Sequence, residues 1–531
     1  MQTLATRRIA LIVALIPALL LAACGGAPAA QAPSAANGGA PAATMAPAAT
    51  QVPPLVAAEP TVAEAPTAAA AEAPAASPPA PQPQPEEPAV NPFTAAATDN
   101  LSTFALDVDT ASYSMARAYL EAGSFPPPDV VRVEEFVNAF DYAYPRPSQG
   151  FSITVDGASA PFGAPGNQLV RVGIQGAEID SGQRDPAVLT FVIDVSGSMQ
   201  EPNRLPLVKE SLRLLVDELR EGDQVGIVVY GSRARVVLEH TAASERDRIL
   251  SAIDSLGNEG STNVEEGLRL GYDQAGRAFQ RGASNRVILA SDGVANVGAT
   301  GPEAILRVIR DRAAQGIYLT TVGFGMGSYN DHLMEQLAND GNGNYAYVED
   351  LDEARRIFVE NLTGMLQVIA KDAKVQVVFN PAVVSQYRLL GYENRAVADA
   401  DFRNDQVDAG EVGAGHNVTA LYEVALTGQA EGELMTVQLR WADPRTGDVS
   451  EIAQPFTSAE LAADLAAAAP DLRLAAGVAG FAELLRGSPY AGDRTFADLH
   501  ALLAPLAVER PNDAALQELL ALVDRAGSLS R

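Results

Sequence analysis

The sequence predicts an α/β fold: a doubly wound, mostly parallel sheet, set as an insertion in a β-sandwich and followed by a helical C-terminal region. Three observations predict it. Between residues 186 and 368, short apolar runs alternate with amphipathic segments, the pattern of strand and helix in turn. On either side, segments alternate with period two, as half-buried strands do. Toward the C-terminus, apolar residues return at helical spacing.

Ala187–Asp194 (AVLTFVID) is a continuous apolar run, expected for a strand buried on both faces of a parallel sheet. Leu205, Val208, Leu212, Leu215 and Leu219 recur at helical steps and predict an amphipathic helix. Asp223–Gly231 and Ala234–His240 read as the next strands, with helices over 244–256 and 263–281. Arg286–Asp292 reads as another buried strand. A helix over 302–315, strand Ile317–Gly325, a helix over 330–339, strand Asn344–Glu349 and a helix from 351 complete the module. Ligands of such sheets sit beyond the carboxyl ends of the strands.

Phe151–Gly157 and Gln168–Gln175 alternate ahead of the module. Val375–Phe379, Tyr387–Tyr392, Asn417–Leu426 and Leu434–Trp441 alternate behind it. Met435, Val437, Leu439 and Trp441 would share one face. Two strands before and four after predict one sandwich split by an insertion, the alternative being two independent small β units. The module's first strand and last helix should then meet opposite the ligand edge. Leu474, Val478, Phe481 and Leu485, and then Leu516, Leu519 and Val523, predict core-facing helices.

The first residues have another character. Arg7 and Arg8 precede an apolar run from Ile9 to Ala23, too short for a bilayer span and suited to a signal peptide. The run ends Leu21-Ala22-Ala23-Cys24, which looks like a bacterial lipobox. That resemblance implies a cleaved leader (1–23) and lipid on Cys24, and an uncleaved anchor is the alternative. Residues 24–98 are rich in Ala and Pro and hold no basic residue, a composition that cannot offset its ordering entropy by burial, so a disordered tether is expected. Residues 99–150 form an N-terminal segment, 151–185 the first sandwich strands, 186–368 the α/β module, and 369–531 a C-terminal region of strands and then helices. The expected location is the cell envelope, on the outer membrane or the outer face of the plasma membrane.

The chain has 37 basic and 66 acidic residues, a net charge of −29, which argues against non-specific nucleic-acid binding. One cysteine excludes intramolecular disulfides and Cys-based zinc clusters. His240, His332, His416 and His500 are scattered, without metal-ligand spacing, and read as surface or capping residues. No G-x-S-x-G elbow is present. Asp107-Val-Asp109 lacks the glycine and closing glutamate of a calcium loop and reads as a structural turn. Gly323-Phe-Gly325-Met-Gly327 follows a late strand and reads as a loop beside the ligand edge rather than a phosphate cradle.

At that edge the first strand runs into Asp194-Val-Ser196-Gly-Ser198. A later loop holds Gly260-Ser261-Thr262-Asn263, and a later strand ends in Ser291-Asp292-Gly293. Two carboxylates and three hydroxyls are hard oxygen donors suited to Mg²⁺, or to Mn²⁺ or Ca²⁺. With few anionic ligands the ion stays electrophilic, and an incoming carboxylate would complete its shell.

This D-x-S-x-S turn with a separated Thr and a separated Asp resembles the metal-ion-dependent adhesion site of the von Willebrand factor type A domain. The resemblance implies that Asp194, Ser196 and Ser198 are direct ligands, that Thr262 switches between direct and water-mediated contact, and that Asp292 acts through water. The stretches at 99–145, GYENR, GAGHNVTALYE and LLRGSPYAGD resemble the YfbK-like bacterial lipoproteins, which have an N-terminal segment, a central type A domain and a C-terminal domain. That second resemblance implies architecture rather than activity; the type A resemblance implies a non-enzymatic module that binds a carboxylate-presenting protein partner, with the membrane reached through the N-terminal lipid. The rivals are a metal-dependent hydrolase, for which the ligand loops offer no spare base, the nearby Glu259, Glu265 and Glu266 reading as residues that cap or solvate the helix, and an envelope scaffold. The acidic field repels anions, but charges beyond ~8 Å are screened at physiological salt and a divalent ion acts at contact.

Overall fold

The computed structural model describes residues 90–293, 302–325, 331–428 and 431–530. The expected leader, Cys24 and the tether up to residue 89 lie outside the described residues, as does Gly327. No described helix is long and apolar enough to cross a membrane.

In chain order the body opens with β1 (Thr94–Ala95), β2 (Leu101–Ala105), α1 (Ala111–Glu121), α2 (Val133–Asn138), β3 (Phe151–Ser159) and β4 (Gln168–Gly176). The module follows as β5 (Ala187–Asp194), α3 (Leu205–Glu218), β6 (Gln224–Tyr230), β7 (Ala234–Ala242), α4 (Arg246–Asp254) and α5 (Val264–Ala278). It continues with β8 (Ser284–Ser291), α6 (Pro302–Ala313), β9 (Ile317–Phe324), α7 (Asp331–Asp340), β10 (Tyr345–Val348), α8 (Leu351–Arg355) and α9 (Leu362–Leu366). After it come β11 (Val368–Phe379), β12 (Val384–Leu390), β13 (Gly410–Gly413), β14 (Asn417–Leu426), β15 (Glu433–Ala442), β16 (Val449–Thr457), and helices α10 (Pro470–Leu485), α11 (Phe496–Glu509) and α12 (Ala514–Leu529).

The module sheet has the order β10-β9-β8-β5-β6-β7, parallel throughout except for the edge strand β7. Residue alternation along β5 explains the two-sided winding. Leu189, Phe191 and Ile193 pack with Leu212, Leu215, Ile249 and Phe358 on one face. Val192, with Val228 and Leu289, packs with Leu268, Tyr272, Ile309 and Leu337 on the other. The chain turns one way from β5 to β6 and places β8 on the opposite side, so the switch point of the winding lies between β5 and β8.

The flanking strands form two sheets around one core. One has the order β1-β12-β14-β4-β3, and in the other β11 pairs with β15 on one side and with β13 and β2 on the other, β16 closing the edge. Val170, Val172 and Tyr422 of the first sheet meet Val375, Val377, Met435, Val437 and Leu439 of the second, with Trp441 in the same cluster. The sandwich reading holds, but with more strands than expected. Four precede the module and six follow it. β1 and β13 are too short for a periodic signal, and β16 is mostly exposed, so its polar sequence shows little alternation. Residues 90–98, expected in the tether, belong to the body: β1 pairs with β12, and Asn91 donates to the Gly391 carbonyl at 2.7 Å.

The module's entry and exit meet at the foot of its sheet. Asp185 N donates to Gln367 Oε1 at 2.7 Å and Gln367 Nε2 donates to Asp185 Oδ2 at 3.2 Å. Beside them the buried Arg184–Asp223 pair fixes the start of β5, since Asp223 Oδ1 also accepts from Ala187 N at 2.8 Å. Asp194 lies at the other end of that strand, roughly 23 Å away at ~3.3 Å per residue.

Helices α10 to α12 bury Leu474, Val478, Phe481, Leu485, Leu516, Leu519 and Val523 against Tyr113, Phe136 and Phe140 of the N-terminal segment. That segment is also tied to the module by buried charge. Arg132 pairs with Glu135, and its Nη1 lies 2.8 Å from Asp331 and 3.4 Å from Glu335 of α7. Arg395 holds Asp107 and Asp109, and Asp109 accepts from Tyr345 N at 2.9 Å, so the D-V-D turn is structural.

Carboxylates outnumber guanidiniums in this cluster. Glu134 is buried with neither oxygen bonded to another side chain among the described residues, and burial, reinforced by Glu393 and Glu135, pushes its pKa up to about 8. Burial pushes Glu135 up to about 7 against the opposing pull of Arg132. A carboxyl whose folded pKa exceeds its unfolded value holds its proton longer when folded, so stability falls as pH rises between the two values. For Glu134 that window runs from 4.5 to about 8. Urea melts should find Glu134→Gln close to wild type at pH 5 and more stable than wild type at pH 8, by on the order of 3 kcal/mol. Equal stabilities at pH 8 would refute this.

Candidate metal centre

The carboxyl end of β5 delivers Asp194, fully buried, into a turn that starts at once. Asp194 Oδ1 accepts from Ser196 N at 2.8 Å, an Asx turn, and Oδ2 accepts from Ser291 Oγ at 3.1 Å. Ser196 Oγ and Ser198 Oγ are 3.1 Å apart. Met199, also fully buried, anchors the turn in the core beneath it.

The second loop is bound to the first through backbone. Gly197 N donates to the Gly260 carbonyl at 3.1 Å, and Asn258 Nδ2 donates to the Ser196 carbonyl at 3.0 Å. Gly260 has φ +64°, and a Cβ there would lie 2.0 Å from Ser232 Oγ, so glycine lets this loop close on its neighbour. Thr262 follows in the same loop, half-buried, next to Asn263, whose side chain accepts from Glu266 N and caps α5. The third contribution comes from the end of β8, where Asp292 lies buried and Ser291 contacts Asp194. Asp194, Ser196, Ser198, Ser291 and Asp292 thus gather at the switch point, with Thr262 on the loop bound to that turn.

Burial raises the Asp194 pKa, the Ser196 hydrogen bonds oppose the rise, and repulsion from Asp292 adds to it. Two carboxylates facing each other out of water call for positive charge between them. Oxygen donors only, two of them anionic, form the set a hard divalent ion takes, and the residues present fit one. Arg204 answers part of the demand: its Nη1 donates to Asp292 Oδ2 at 2.7 Å.

Sequence reasoning left two partners unassigned. Ser291 was read only as a strand end, and its hydroxyl orients Asp194. Arg204 stands immediately before the predicted helix, and a cation at the edge of its apolar face is a readable signal. The Gly323–Gly325 loop does border the site, its Gly325 carbonyl accepting from Arg204 Nε at 3.2 Å. Two of the glutamates considered as bases are engaged elsewhere: Glu259 pairs with Arg235 at 2.5 Å, and Glu266 accepts from Asn263 Nδ2 at 3.2 Å.

Two histidines correct the surface reading. His240 is partly buried against Thr190, 3.0 Å from its hydroxyl, and burial lowers its pKa to about 4. His416 is lowered to about 4 by burial and then by Arg286. Ligand atoms of Asp331, His332 and Glu335 lie within 4.8 Å of one another on α7. The Arg132 guanidinium already holds both carboxylates there, so a side chain fills the cation's role.

Residues 189–363 match the model of the von Willebrand factor type A domain. Residues 364–529 match that of the YfbK C-terminal region and residues 83–171 one described as von Willebrand factor. The chain is 36% identical over 431 residues to YfbK of Escherichia coli K12, spanning 75% of this chain and 73% of that protein. A Synechocystis protein is 25% identical over 302 residues, 55% of this chain and 71% of the relative. Among solved structures, a von Willebrand factor type A protein from Catenulispora acidiphila aligns with a TM-score of 0.42 at 18% identity, covering 71% of this chain and 91% of that one.

Proposed function

This chain belongs to the YfbK family and carries a von Willebrand factor type A domain, and from that premise we propose that it is a cell-envelope adhesion module. Asp194, Ser196, Ser198, Thr262 and Asp292 would hold a divalent ion, Mg²⁺ or in its place Mn²⁺ or Ca²⁺, that captures a carboxylate of a partner protein. The observation that carries the reading is the meeting of two buried carboxylates and two serine hydroxyls at one switch point. When bound, the ion would supply an electrophilic centre for an oxygen ligand of the partner. The chain's residues do the rest: Ser196 N and Ser291 Oγ fix both Asp194 oxygens, and the loop at 258–262 braces the turn. Lipid on Cys24 would bring the module to a membrane outside the cytoplasm.

The full chain tests this against envelope extract. Capture of a partner in Mg²⁺, lost in EDTA and lost in Asp194→Ala, is expected. Capture that survives both treatments refutes the reading. The anchor is read in the same extract, where wild type should partition into the detergent phase and Cys24→Ser should not.

A further inference from the structure

Arg204 stands just before α3 and joins three strand-end loops with one guanidinium. Its Nη1 donates to Asp292 Oδ2 at 2.7 Å and to the Ser198 carbonyl at 2.7 Å, and its Nε donates to the Gly325 carbonyl at 3.2 Å. Gly325 has φ +56°, and a Cβ there would lie 2.7 Å from Arg204 Cγ, so Gly325 packs directly against the arginine stem.

One amino group of the fork is not used. Nη2 makes no hydrogen bond or ion pair among the described residues, and the side chain is 23% exposed. A chain of net charge −29 therefore sets a positive charge beside Asp292 at the rim of the candidate metal site, with one amino group uncommitted among the described residues. With Nε and Nη1 committed, the planar guanidinium fixes the direction in which the N–H groups of Nη2 point, and a bond from them to a carboxylate is charge-assisted.

We propose that Arg204 is a specificity-determining residue, its uncommitted Nη2 donating to the carboxylate captured at the metal site, so that the incoming group is read by two cations. The inference rests on the carboxylate capture proposed above. It carries a sign that a loop-bracing role does not share. The same positive charge opposes entry of a divalent ion and favours entry of an anion.

The test uses the full chain as wild type, Arg204→Gln and Arg204→Lys, with melts in EDTA to verify folding. Mn²⁺ binding is followed by water-proton relaxation. Acetate is then titrated onto the Mn²⁺-loaded protein, where it displaces bound water. Arg204→Gln should bind Mn²⁺ at least threefold more tightly and acetate about tenfold more weakly, a charge-assisted hydrogen bond being worth about that factor. Arg204→Lys should keep the wild-type Mn²⁺ affinity and lose part of the acetate affinity. If Arg204→Gln weakens both ligands, the residue only braces the loops and the inference is overturned. Equal acetate affinity in wild type and Arg204→Gln also overturns it, and leaves the metal reading standing. A wild type that binds no Mn²⁺ overturns both.

Discussion

Replacing Asp194 with asparagine is expected to weaken divalent-ion binding by at least ~100-fold, about 2.7 kcal/mol, without making the metal-free protein less stable than wild type. The two effects come from one cause. In the metal-free fold Asp194 is a carboxylate out of water, its pKa raised by burial and by Asp292. The amide removes that burden and keeps an oxygen to accept from Ser196 N, the bond that shapes the turn. Loaded with metal, the same change removes a full negative charge from a site whose other donors are mostly hydroxyls, where Coulombic attraction in a partly buried setting is large. Calorimetric titration with Mn²⁺ gives the affinity, and urea melts in EDTA give the stability. A variant that binds as tightly as wild type would show that Asp194 is not a ligand. One that unfolds in EDTA would show that it is structural.

Arg132→Met should destabilise the body by about 3–5 kcal/mol, the cost of removing one partner from a buried ionic group. Arg132 holds Glu135 of α2 and Asp331 and Glu335 of α7, all of them buried. Methionine fills much of the volume and leaves three carboxylates with less positive charge near them. Glu335, already raised by burial and held down chiefly by Arg132, should take up a proton, so the deficit should shrink as pH falls. Urea midpoints at pH 5 and pH 8 measure it. A loss under 1 kcal/mol at pH 8 would mean that Arg395 alone balances the cluster.

The ion cluster was not legible in the sequence. Arg132, Asp331, Glu335 and Arg395 come from segments far apart in the chain, and each taken alone looks like a surface charge. Periodicity reports on neighbours along the chain and is silent on pairs made in space. The Asp194 turn was legible because its donors are two residues apart and follow a run that can only be a buried strand. The module sheet was legible strand by strand because both its faces are covered. In the sandwich, β15 was legible because Met435, Val437 and Leu439 alternate cleanly with less buried residues, while the mostly exposed β16 does not. β2 escaped because it is short and its neighbour β11 lies far along the chain.

The foot of the module has a mechanical consequence. The chain enters from β4 and leaves into β11, and these strands belong to different sheets of the sandwich. A pull applied at the Asp194 end travels down β5 along the strand axis, the direction in which parallel neighbours resist by shear, all their bonds sharing the load. At the foot, the Asp185–Gln367 pair splits that tension between the two crossings. Each sheet then takes part of it, and neither is peeled from its edge. A body joined through one crossing would have to withstand the whole tension in a single strand.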